Sequence, residues 1–265
     1  MSKHVEFIQT PLYQILDEVC GILADSSGRM LSNISAEYIL YSTFLKLTGA
    51  QEQKLKCVCW EIATDNYEFR YEWLSGQFSP GECSRLEDKN KILSKLLTLI
   101  RLKEDSFTIS NTDKSTIVND VIWHVEQFYE TSMVGHTMNR THQEEFALWK
   151  KTFDIIRNNP QIICEINASE KDPIKIAQKK DQYPKALKEA LPLGLEELYL
   201  LQYKHRNRCA HNTTSYQETD MALFRNLGKV DLYRYNYLIF FSLLLMIDDI
   251  TIRLYNKYLQ TCNVE

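Results

Sequence analysis

Glycine and proline are scarce in this chain: eight and six residues, about 5% of 265, where the average is roughly 12%. So few chain-reversing residues exclude the many turns of a β-sandwich or barrel. They equally exclude the glycine-rich phosphate loops of a nucleotide-binding α/β fold. Long hydrophobic runs are missing too. The longest, Tyr237–Ile247, is too short to span a bilayer and runs into Asp248–Asp249, so no membrane partner is expected. No excess of one charge exists: 31 Lys and Arg against 35 Asp and Glu leave −4. A chain basic throughout, like a histone-like polyanion binder, is excluded, and any nucleic acid would have to meet a local basic patch. Met1–Thr10 lacks an apolar core of the secretory type, so no signal peptide is expected. The seven cysteines form no C-x-x-C pair, and on a helix Cys57 and Cys59 would point about 200° apart. The expectation is reduced thiols in a cytoplasmic chain, with no metal and no cofactor. Four N-x-S/T matches (Asn33, Asn139, Asn167, Asn212) are then chance occurrences.

What is present is helical periodicity, and the fold class expected is all-α, a helical bundle. Ile8, Leu12, Ile15, Leu16, Val19 and Leu23 recur at steps of three and four over Val5–Leu23, with Pro11 early in the stretch. Ser35–Leu47 reads as a second helix, the aromatic-rich Gln51–Leu74 as a third, and the leucine-dense Leu86–Leu102 as a fourth. Ser79–Cys83 and Asp105–Ser115 read as loops. Apolar stripes follow at Ile117–Tyr129 and at Phe146, Trp149, Phe153 and Ile156, the latter stopped by Asn158–Pro160. Gln161–Ile166 is expected to be irregular or helical rather than a strand. Ala168–Pro192, the most polar stretch, reads as a boundary or exposed arm. Residues 1–190 are thus a helical region of unassigned role packing on a C-terminal core, 191–265. That core comprises a helix over Leu195–Cys209 and a long helix over Tyr233–Leu259, apolar on two sides and buried between neighbours or at a dimer seam.

One constellation carries chemistry: Tyr203-Lys204-His205-Arg206-Asn207-Arg208-Cys209-Ala210-His211-Asn212. Arg206 supplies a planar fork of donors matched to phosphate, and His211 can exchange a proton near neutral pH. Asn207 can hold a phosphate oxygen or a ribose hydroxyl. The set suits attack of an RNA 2′-hydroxyl on its own phosphate, with histidine as general acid or base and arginine offsetting the growing charge. DNA lacks that internal nucleophile. Arg206 and His211 stand five apart, about 140° around an unbroken helix, so they converge only where the helix ends near His211 or a second copy completes the site.

Arg206-Asn207-x-x-Ala210-His211 resembles the R-x4–6-H signature of HEPN domains in its RN-x-x-AH form. An Arg and a His at such a spacing arise by chance on the order of once in a chain this long; adding the Asn and Ala makes the match on the order of a thousandfold rarer. The resemblance covers roughly Leu195–Tyr258. It implies a four-helix core and a homodimer whose two motifs meet at the seam. It further implies a metal-independent endoribonuclease leaving 2′,3′-cyclic phosphate and 5′-hydroxyl ends, as in prokaryotic defence and toxin–antitoxin systems. Arg206, His211 and Asn207 would be its catalytic residues, with Lys204, His205, Arg208 and Asn212 on flanking phosphates. RNA and a second copy are the implied partners, with an antitoxin or defence-system protein beside them. The alternative is a non-catalytic adaptor binding RNA or a protein. Thr213 stands where antitoxin-controlled members carry a tyrosine two residues after the histidine, so control by adenylation of that tyrosine does not carry over.

Other features read more plainly. His124 is a packed histidine at the margin of a stripe, and His136 is uninformative. Glu144–Glu145 and Glu196–Glu197 are surface charge. Tyr67, Phe69 and Tyr71, within Trp60–Trp73, form a core or interface stripe or a platform for bases. The lysines of 175–188 are a solvated face or a track for RNA. Asp248 and Asp249 are costly inside a buried helix, and one of them is expected to pair with Arg206 or Arg208 and orient it.

Overall fold

The structure, a computed structural model, describes residues 2–25, 33–131, 140–167, 169–211 and 236–262; for 23–25, 33–37, 131, 140–142 and 210–211 it describes the backbone alone. The architecture is all-α with one small hairpin. In chain order the helices are α1 (Lys3–Gln9), α2 (Tyr13–Asp25), α3 (Asn33–Asp65), α4 (Tyr67–Leu74), α5 (Leu86–Lys103), α6 (Asn111–Thr131) and α7 (Arg140–Arg157). Strands β1 (Cys164–Ile166) and β2 (Ile174–Ile176) follow, then α8 (Lys185–Ala190), α9 (Leu195–His211) and α10 (Tyr237–Cys262). No helix among the described residues is long and apolar enough to cross a membrane.

The core is built around α10, in which every residue from Tyr237 to Asp248 is buried, with Ile250, Thr251, Leu254, Tyr255 and Tyr258 beyond. A helix apolar on all sides must be enclosed. Here α1, α3, α5, α6, α7 and α9 all pack against it. Its start is fixed by Asn236, whose side-chain oxygen accepts from the Ile239 N–H (3.2 Å) while its amide donates to the Glu145 carbonyl (2.9 Å). Ser242 is satisfied inside the core, accepting from the Trp149 indole N–H at 2.7 Å and donating to the Leu238 carbonyl at 2.8 Å.

Three expectations are corrected. The two helices read over Ser35–Leu47 and Gln51–Leu74 are one helix to Asp65 and a short second one. The chain continues through Thr48-Gly49-Ala50 because Thr48 donates to carbonyls of its own helix, Phe44 (3.1 Å) and Leu45 (3.0 Å). A glycine inside a buried helix costs only about 1 kcal/mol. The break falls instead at Asn66, which caps α4 by accepting from the Phe69 N–H at 2.8 Å. Second, Cys164–Ile166 is a strand, paired antiparallel with β2 in the register Cys164↔Ile176 and Ile166↔Ile174. Third, 169–192 is no exposed arm, since Ile174, Ile176, Ala177, Tyr183, Leu187 and Leu191 are buried. Helix side chains close the hairpin's edges: Asn90 accepts from the Ile176 N–H (2.9 Å), Ser94 meets Ile174 at 3.4 Å, and the buried Lys114 donates to the Cys164 carbonyl at 2.8 Å.

Candidate functional site

Leu195, Leu198, Tyr199, Gln202 and His205 of α9 are buried, a stripe at helical spacing that faces α3, α5 and α10. This phase settles where each charged residue of the motif goes. Lys204 and Arg208 are exposed on the opposite side, and Arg206 and Asn207 lie on the flank, half-buried. His211 is the last residue of α9. Its side chain, with Asn212 and Thr213, lies outside the described residues, as does His136.

Arg206 is held at two points. One terminal nitrogen donates to Glu52 of α3 at 2.7 Å, in an ion pair whose side chains are 22% and 14% exposed, and the other donates to the Asn207 side-chain oxygen at 3.2 Å. Behind this pair, the fully buried Lys89 of α5 donates to Gln51 at 2.5 Å and lies 5.9 Å from the centre of the Tyr199 ring. Burial pulls the Lys89 amine down to about 8, with Glu52 opposing that fall. Gln51 passes the contact on by donating to the Leu244 carbonyl of α10 at 2.7 Å. The cavity between Glu52, Lys89, Gln202 and Arg206 measures about 10 Å³, too small for a ligand. Any polymer would meet Arg206 from the outer flank of α9.

On that flank, the Arg85 Nε donates to the Tyr203 hydroxyl at 3.4 Å. Asn207 lies beside the same hydroxyl, and these two neighbours, Arg85 first, hold the phenol below its ordinary range. Arg85 with Tyr203 and Arg206 with Asn207 thus form two hydrogen-bonded pairs side by side on the surface, the second anchored inside by Glu52.

Two motif expectations are corrected. His205 does not reach toward a phosphate. It lies in the core, stacked on Phe44 (ring centres 5.4 Å apart), with its Nε2 3.0 Å from the Tyr237 hydroxyl. Burial pulls its imidazole down to about 4, so the ring stays neutral at pH 7. Nor do the aspartates of α10 serve the motif. The Asp248 carboxylate accepts from the buried Lys54 amine (2.5 Å) and the Leu12 N–H (2.8 Å). Asp249 takes the Nε of Arg253 at 3.1 Å. The carboxylate that meets Arg206 comes from α3, 154 positions away.

The remaining candidates are scattered. Lys175 pairs with Glu170 at 2.7 Å, Lys179 lies 3.8 Å from Glu196, and Lys180 donates to the Pro192 carbonyl at 2.8 Å, so these lysines serve local contacts. His124 stacks on Tyr13 with ring centres 3.7 Å apart, and burial lowers its pKa. Phe69 is core, whereas Trp60, Tyr67 and Tyr71 are exposed.

Sequence reasoning missed Glu52, Arg85 and Lys89. Lys89 carried one signal: it stands one turn before Ile92 and Leu93, in phase with the buried stripe of α5. Glu52 and Arg85 carried none. Against protein-family models, curated proteins and solved structures, the chain finds no match.

Proposed function

We propose that the protein is a metal-independent endoribonuclease of the HEPN type, acting as a cytoplasmic homodimer in a defence or toxin-type role. The observation that carries this reading is Arg206: a guanidinium fixed by Glu52 and Asn207 on the flank of a helix whose solvent side bears Lys204 and Arg208. Preorganised donors stabilise a developing phosphorane more than a mobile side chain would, because no reorganisation is needed as the charge forms. In this reading the 2′-hydroxyl attacks the neighbouring phosphorus, His211 moves the proton, and the 5′-oxygen leaves. Cyclic phosphate and 5′-hydroxyl ends result.

The test is RNA cleavage in excess EDTA. Wild type should cut and leave 2′,3′-cyclic ends, while Arg206→Ala and His211→Ala should each fall at least a hundredfold. Activity surviving both substitutions, or vanishing with chelator, removes the proposal. A second reading, a non-catalytic adaptor, is favoured by the same ion pair, since Glu52 already occupies one end of the guanidinium. It requires RNA to be retained and never cleaved.

A further inference from the structure

Arg85 belongs to no part of the motif, yet the fold spends several contacts on placing it over α9. The loop leading to it turns through two left-handed residues, Gly81 (φ +62°) and Cys83 (φ +60°). For Cys83, fully buried, that conformation is one a residue with a Cβ rarely adopts. Strain of this sort persists only where surrounding contacts enforce it, and it gathers at binding sites. Here the Tyr199 hydroxyl donates to the Ser84 carbonyl at 2.8 Å, and Arg85 caps the start of α5, its carbonyl accepting from the Lys89 N–H at 3.2 Å. The Arg85 guanidinium, itself exposed, is then tied through Nε to Tyr203.

We infer that Arg85, Tyr203, Asn207 and Arg206 form a binding subsite for the phosphodiester of single-stranded RNA. Among the described residues, the terminal nitrogens of Arg85 and the Nε of Arg206 donate to no acceptor. Two guanidiniums, one held by a phenol and the other by an amide and a carboxylate, present an array of donors of the kind that grips phosphate oxygens. The acidic neighbours do not cancel it. Glu52 lies on the inner side of Arg206, and Asp88, whose larger cationic influence is Lys91, makes no ion pair with Arg85 among the described residues. The inference rests on the nuclease reading only for the identity of the polymer. Arg85 would hold a phosphate beside the one cleaved, fixing the strand's direction across α9.

The experiment measures binding of a single-stranded 2′-O-methyl RNA 12-mer, which lacks the attacking hydroxyl, by fluorescence anisotropy over a range of salt. Arg85→Gln should weaken binding about fivefold to tenfold and flatten the slope of log K against log salt by about 0.7, the value for one lost contact on a single strand. Tyr203→Phe, which removes the oxygen that holds Arg85, should weaken it about twofold to threefold. Lys185→Gln on α8 should change neither quantity. Equal affinity and slope for wild type and Arg85→Gln overturn the inference, as does an equal loss from Lys185→Gln or no binding by wild type. Unchanged binding by Arg85→Gln with RNA cleavage intact sinks the subsite alone. Arg85-dependent binding by a protein that cleaves no RNA keeps the subsite and sinks the nuclease.

Discussion

At the scale of single residues, adjacent positions of α9 carry opposite electrostatic fates. The charge of Arg206 is met by Glu52 at 2.7 Å on a half-open flank. His205, one residue earlier and about 100° around the helix, is neutral among Phe44, Tyr237 and Phe240. The difference gives a pH signature. The ring titrates near 6.5 when unfolded and is held down to about 4 when folded. As pH falls from 6.5 toward 4, the unfolded chain takes up the proton first and stability is lost. Above 6.5 the contribution is intact. The shift corresponds to about 3 kcal/mol across that window. Urea unfolding at pH 7.5, 5.5 and 4.5 should therefore show wild type losing more stability than His205→Phe. Parallel losses in the two proteins would mean that the imidazole is not the group responsible.

At the scale of elements, the buried Lys54–Asp248 pair is a joint of three pieces. The Lys54 amine of α3 donates to the Thr10 carbonyl at 2.6 Å as well as to Asp248 of α10, and Asp248 accepts from the Leu12 N–H. The turn between α1 and α2 is thereby fixed to both long helices. Burial pushes the Asp248 carboxyl up to about 6 and the Lys54 amine down, so the pair is held against desolvation rather than stabilised by it. Removing one member strands the other. Asp248→Ala should cost about 3–5 kcal/mol, whereas Lys54→Met with Asp248→Leu should recover most of that loss. Denaturant midpoints of the two variants decide the matter: a double variant as weak as the single one would show that the turn, not the isolated charge, sets the cost. Such joints explain which elements were legible in advance. α5 announces itself through an apolar repeat in a single phase and α10 through apolar stripes on two sides. The boundary between α3 and α4 did not, because its marker is one capping side chain, Asn66, while the apparent break at Thr48-Gly49 is bridged by packing. The hairpin was hidden because its three-residue strands depend on Asn90, Ser94 and Lys114, distant residues whose role is tertiary.

At the scale of the whole molecule, the site follows the same division. Arg206 and Asn207 are singled out by local spacing and stand together on the flank of α9, while the side chain of His211 lies outside the described residues. Glu52 and Arg85 could not be singled out so, since only the packing of α9 on α3 and the strained loop before α5 bring them near. A larger question of the same sort is whether one chain is enough. In α9, which runs unbroken to His211, positions 206 and 211 lie about 140° apart around the axis. Under the proposed function, a pair so arranged is expected to be completed by a second copy related by a twofold axis, each site taking its arginine from one protomer and its histidine from the other. Subunit mixing tests this without further coordinates. Arg206→Ala and His211→Ala homodimers should each be inactive. If sites are shared, exchange of equal amounts makes half of the dimers mixed, each with one intact site and one doubly broken site. Activity should then recover to about a quarter of wild type, the statistical share of intact sites under random pairing. If each site is built within one chain, every protomer in the mixture lacks one member of its pair, and the mixture should be as inactive as its components.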